Sequence, residues 1–173
     1  MTALLRSAQV RRDLLNPIQL VELVRFVADE VDSGAYPFVR YQLDQRWHRR
    51  IYRDQRIDIW LISWMPSQGT LLHDHGGSAG AFTVVRGRLT ESRAAGSGHR
   101  AGELCHRTLA AGRSVGFDAR HVHDVRNVAS AAALSVHAYS PPLTSMSYYD
   151  VEDGVLRKLA TVVTDDPEQE YQP

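Results

Sequence analysis

The chain has 173 residues, enough for one domain with a sizeable core. Its 20 basic and 20 acidic residues cancel to a formal charge of zero, which excludes a global field that would gather nucleic acid or an anionic membrane surface. No apolar run approaches the length of a spanning helix, and Met1 to Gln9 do not read as a signal peptide. Cys105 is the only cysteine, so an intramolecular disulfide is impossible and a reducing, cytoplasmic setting is the expectation.

The first element is a helix over about 17–33. Leu20, Leu23, Val24, Val27 and Val31 recur at three- and four-residue spacing, Asn16 suits the cap, Pro17 the first helical position, and Gly34 sits past the end. From Ile57 onward the pattern changes to short β-like runs near 57–65, 70–75, 80–86, 89–94, 104–109, 114–117, 121–127, 132–139 and 155–162. Gly87, Gly96 to Gly98, Ala111-Gly112 and Gly154 mark turns between them. Many short strands after one helix predict an all-β jelly roll or barrel with N-terminal helical decoration, a single domain over 1–163. The stretch 164–173 is polar and expected to be a flexible tail.

Leu72-His73-Asp74-His75-Gly76-Gly77 carries the strongest chemical signal. Side chains on an extended strand alternate, so His73 and His75 share a face and can hold one metal ion, while Asp74 points away. A further imidazole is available in Arg120-His121-Val122-His123-Asp124, where His121 and His123 also share a face and spacing alone excludes neither. Imidazoles suit iron(II) and zinc alike, and three neutral ligands would leave the metal its full charge for anionic substrate groups. Farther on, Leu134-Ser135-Val136-His137-Ala138-Tyr139-Ser140-Pro141-Pro142 places Ser135, His137 and Tyr139 on one face, where they could form a hydrogen-bonded relay. Trp60 and Trp64 read as core; His48, His99 and His106 lack any partner pattern.

Gly69, His73-x-His75, Gly80 and Gly87 resemble the first signature of the cupin superfamily, without its usual glutamate near Ala79 or Gly80. The second cupin signature, a histidine followed by three residues and an asparagine, is matched by His123 and Asn127. With Ser135-His137-Tyr139-Ser140-Pro141-Pro142, residues 45 to 142 resemble the cysteine dioxygenase family of thiol dioxygenases. That resemblance implies a cupin-type double-stranded β-helix with mononuclear non-haem iron(II) on His73, His75 and His123. It also implies catalytic roles for Tyr139, His137 and Ser135, and a cis peptide at Ser140-Pro141. Mammalian members carry a cysteine, crosslinked to the tyrosine, where this chain has Gly80, so no Cys–Tyr thioether is expected. The arginine that binds the substrate carboxylate falls within Trp47-His48-Arg49-Arg50-Ile51-Tyr52-Arg53, with Arg50 and Arg49 both in register and Arg53 less so.

The activity implied is oxidation of L-cysteine to cysteine sulfinic acid by dioxygen. Competing expectations are a dioxygenase of another small thiol such as 3-mercaptopropionate, and a non-enzymatic cupin that binds a metal or ligand. The partners expected are a small thiol and O2, with neither nucleic acid nor membrane.

Overall fold

The computed structural model describes residues 14–94 and 103–168. Helix α1 (Pro17–Asp32) starts where the cap residues predict. The Asn16 side chain accepts from the Ile18 and Gln19 backbone N–H groups, and the Gln19 side chain accepts from the Asn16 N–H in return. This reciprocal box satisfies donors that an open helix end leaves unpaired. Gly34, at φ 92°, lies just beyond the helix end.

Eleven strands follow among the described residues, in two antiparallel sheets. The first sheet has the order β1 (His48–Arg53), β2 (Asp58–Trp64), β9 (Ala133–Ser140), β4 (Ala79–Arg86), β7 (Ser114–Phe117). The second runs β11 (Val155–Val163), β10 (Ser145–Glu152), β3 (Leu72–His73), β8 (His123–Arg126), β5 (Arg88–Ala94), β6 (Leu104–Ala110). The nine expected strands are all present with shifted ends, and the all-β jelly roll with an N-terminal helix is observed. The turn expected at Gly96 to Gly98, and His99, lie outside the described residues.

β1 and β10 are additional to the strands read from the sequence. β1, His-Arg-Arg-Ile-Tyr-Arg, is an edge strand of the first sheet and carries mostly charged side chains, so it shows no apolar alternation. β10 is half-buried along its length and mixes serines, tyrosines and acids.

β9 is buried at every position, so both of its faces are covered. Leu134, Val136 and Ala138 pack with Leu20, Val24, Val27 and Val31 of α1 in an apolar layer outside the first sheet. Ala133 and Tyr139, on the opposite face, join Trp60, Ile62, Trp64, Phe82, Val84, Phe117 and Val125 in the barrel interior. Burying each large aliphatic side chain of the outer layer contributes roughly 1.5–3 kcal/mol. This clamps β9 and fixes which of its faces looks into the barrel.

Candidate active site

Cross-strand register sets side chains of the first sheet in rows, and the rows explain how the interior is furnished. Arg50 pairs with Trp60, Trp60 with His137, and His137 with Phe82. The next row runs Arg53, Asp58, Tyr139, Gly80, Phe117. In the facing sheet His73 pairs with His123 across β3 and β8, and with Tyr148 of β10 on its other side.

His73, His75 and His123 converge, each buried, with one ligand nitrogen from each within 4.8 Å of the others. His73 donates from Nδ1 to the Leu71 carbonyl at 2.7 Å, and His123 donates from Nδ1 to Glu91 Oε1 at 2.7 Å. Both therefore keep Nε2 as the free acceptor. Both ring nitrogens of His75 are buried without a hydrogen-bond partner. A buried unpaired polar atom is costly, and here it belongs to the third member of a cluster spaced for one ion. Burial first, then the neighbouring imidazoles, pushes His75 well below its ordinary value and His73 down to about 3, so both are neutral. His123 is lowered too, again by burial, with Glu91 opposing. Three neutral nitrogens in a dry pocket fit a divalent metal.

Asp74 turns away from the cluster, as alternation predicts. It accepts from the Gly76 and Ser147 N–H groups and from the Tyr149 hydroxyl, pinning the turn that carries His75. That turn needs glycine at 76, where φ is 57° and a Cβ would overlap Ser145.

His121 stands apart from the triad. It donates from Nε2 to Glu91 Oε1 at 3.0 Å and stacks on Phe117. Glu91 is fully buried and accepts from His121, His123 and Arg107. Burial alone would raise its carboxyl, but these hydrogen bonds outweigh that and hold it well below the carboxylate range. The carboxylate missing near Ala79 and Gly80 thus has a counterpart one step removed from the site, orienting a histidine. No motif in the sequence marks Glu91 for this task. Asn127 pins the chain after β8, donating to the Trp64 and Ala131 carbonyls and accepting from the Ala129 N–H.

Ser135, His137 and Tyr139 lie on one interior face, but the expected relay is only half formed. Ser135 Oγ accepts from Trp64 Nε1 at 2.8 Å and lies 2.8 Å from His137 Nε2. The Ser135 hydroxyl also lies 3.4 Å from the Ile62 carbonyl, which accepts from it. His137 is clasped between Phe82, stacked at 5.1 Å and 10°, and Trp64, and burial pushes its pKa down to about 3. Tyr139 makes no hydrogen bond to His137. The Tyr139 ring lies against His75 instead, at 5.0 Å and 30°. Burial raises its hydroxyl well above the ordinary value, so Tyr139 is a donor. Gly80 faces it directly across the ladder, and a Cβ there would overlap the Phe117 ring. The Ser140-Pro141 peptide is cis.

The two arginine candidates point to opposite faces of β1. Arg49 lies 4.0 Å over the Phe38 ring, in the outer layer. Arg50 lies 4.6 Å over Trp60 on the interior side. A register shift between Arg50 and Tyr52 then returns Arg53 to the same side, next to buried Asp58 at 3.6 Å. Burial pushes Asp58 up to about 6.

The tail, expected to be flexible from 164, is docked as far as it is described. Thr164 and Pro167 are buried, and acidic side chains reach β1 and its approach: Asp165 to Arg50 and Arg53, Asp166 to His48, and Glu168 to Arg46. Pro167 and Glu168 line a cavity of about 10 Å³ together with His73, His123, His137 and Tyr139. His48, unassigned from sequence, is thus a strap contact. Residues 169–173 lie outside the described residues.

A jelly roll that gathers three buried neutral histidines inside its barrel has the architecture of a cupin, with a cluster that could hold a metal ion. Two solved structures share the fold: TT1209 from Thermus thermophilus, with a TM-score of 0.53 and 20% identity over 62% of this chain and 94% of that one, and the Cnp3 cupin domain of Schizosaccharomyces pombe, with a TM-score of 0.51 and 8% identity over 61% and 66%. The family model described as cysteine dioxygenase type I matches residues 5–152, and the chain belongs to that family. Cysteine dioxygenase type 1 of Rattus norvegicus is 26% identical over 175 residues, covering 86% of this chain and 88% of the relative. The Homo sapiens protein of the same name is 25% identical over 148 residues, covering 80% and 74%. Family and fold support a thiol dioxygenase-type oxidoreductase that acts on a small molecule with O2. Among the described residues no helix is long and apolar enough to cross a membrane.

Proposed function

We propose that this protein oxidises L-cysteine to cysteine sulfinic acid, inserting both atoms of O2, with iron(II) as the metal on His73, His75 and His123. The observation that carries this reading is the row Arg50–Trp60–His137, which sets a guanidinium on the interior side of the sheet that faces the three imidazoles. Held by these three imidazoles, iron(II) would supply the redox chemistry that joins a thiolate to dioxygen. The thiol and O2 together account for every atom and electron of the sulfinic acid, so no external reductant enters.

Arg50 takes the substrate carboxylate in a charge-assisted fork, with Trp60 beneath its plane. Tyr139, kept protonated by burial, donates a hydrogen bond at the reacting sulfur or oxygen. His137 is held by Ser135, which Trp64 holds in turn, so its ring has a fixed direction. Much of the catalysis is positioning in a water-poor site. Loaded with iron, the protein should consume oxygen with L-cysteine and yield the sulfinate, with kcat/KM for cysteine above those for 3-mercaptopropionate and cysteamine. Arg50→Ala should erase that preference. Oxygen uptake with none of the three thiols would overturn the reading.

A further inference from the structure

The segment after β11 bonds to β1 and the residues just before it with three acidic side chains in four residues, and the arginine assigned to the substrate carboxylate is already paired there. Asp165 Oδ2 accepts from Arg50 and from Arg53, each at 2.9 Å, and the Asp165 carbonyl accepts from Arg50 at 3.3 Å. Asp166 is bound by His48 at 3.1 Å, and buried Glu168 by Arg46. Inside the strap, the Asp166 N–H donates to Thr164 Oγ1 and the Glu168 N–H to Asp166 Oδ1. The strap belongs to the site, because Pro167 and Glu168 wall the same cavity as His73, His123 and Tyr139.

The three acids are not equivalent. Glu168 has 4% of its side chain exposed, whereas Asp165 has 54%. A buried ion pair is expensive to break by removing one partner, while an exposed one contributes little. Glu168 is therefore the anchor, and Asp165 the member that exchanges at low cost. Its carboxylate has the same chemistry as the group Arg50 is to receive.

We propose that Asp165 is a specificity-determining residue, a built-in carboxylate that competes with the substrate carboxylate for Arg50 and Arg53. The inference rests on the assignment of Arg50 above. A thiol carrying a carboxylate evicts Asp165 when it binds; a thiol without one leaves Asp165 on the arginines. The wild-type preference for carboxylate thiols is thus blunted by the strap, a form of selectivity set through a competing contact.

Two measurements on the full-length, iron-loaded chain test this. In Asp165→Asn, the ratio of the KM for L-cysteine to the KM for cysteamine should fall about fivefold, the scale of one half-exposed ion pair. An unchanged or raised ratio overturns the proposal. The second measurement, hydrogen exchange at 164–168 under nitrogen, does not depend on turnover. Sodium propionate, a carboxylate without a thiol, should accelerate exchange in the wild type, and ethylamine should not. Asp165→Asn should exchange faster with no additive and respond no further to propionate. Equal exchange in the two proteins, or acceleration by ethylamine, overturns the competition. If no thiol is oxidised while exchange behaves as described, the dioxygenase reading fails and the carboxylate contact stands.

Discussion

Two buried layers are divided by the same sheet, and they are built on opposite terms. Outside it, α1 meets Leu61, Leu134, Val136 and Ala138 in a predominantly aliphatic layer. Inside, the same strands present Trp60, Trp64, Ser135, His137 and Tyr139 to three histidines. The interior itself divides. In its depth, Trp64, Ser135, His137 and Asn127 are all hydrogen-bonded. Both nitrogens of His75 and Nε of Arg50, by contrast, are buried without a hydrogen-bond partner. Buried polar groups are normally paired, so the bare nitrogens of His75 mark a place that a bound ion would complete.

The sharpest way to break the contrast is to exchange damage between the layers. His75→Ala should abolish metal retention and all oxygen uptake while the chain still folds, read by metal analysis alongside circular dichroism. Leu134→Ala should do the reverse, costing about 2–5 kcal/mol of stability through a cavity while metal stoichiometry is kept. If Leu134→Ala lost the metal at unchanged stability, the division between scaffold layer and chemical layer would be wrong.

A smaller effect is expected one contact away from the metal. Glu91→Gln removes the charge that receives His121 and His123 and should weaken metal binding roughly 10–100-fold, measured by competition with a chelator. An affinity equal to wild type would reduce Glu91 to a structural acid. Tyr139→Phe should keep the metal and lower kcat by roughly 10–100-fold, the worth of one hydrogen bond to a charged centre. Metal loss on that change would place Tyr139 among the supports of His75, which its ring touches.

The parts legible from sequence are those governed by local rules. Period-two alternation put His73 with His75 and Ser135 with His137 and Tyr139, and the Asn16-Pro17 start and Gly34 stop framed α1. The parts that escaped are set by pairing between distant strands. Arg49 and Arg50 are indistinguishable in one dimension; only the register of β1 on Trp60 sends one outward and the other in. Glu91 carries no motif because its partner is 32 positions away on β8. The strap reads as a frayed acidic end, because its acids find arginines and a histidine more than a hundred positions earlier.

The finest effect concerns how that strap answers to pH. The hydrogen bond that His48 donates to Asp166 is the main cause raising the His48 pKa above 6.5, with burial opposing. For Asp166, burial raises the carboxyl, but His48 and the Glu168 N–H outweigh it and the net shift is downward. A histidine whose folded pKa is raised adds stability that is fully present below its unfolded value and lost as pH climbs through the folded one. A carboxylate whose folded pKa is lowered adds stability above its unfolded value and loses it in acid. The pair therefore holds from above the carboxylate range, near 3.8, up to the raised value of His48. His48→Gln should lower Tm by on the order of 2 °C at pH 6, because the pair is partly exposed. At pH 9 the two proteins should melt together. A difference that persists or grows at pH 9 would mean that His48 supports the strap by its tilted ring contact with Trp60, 5.9 Å away, and not by charge.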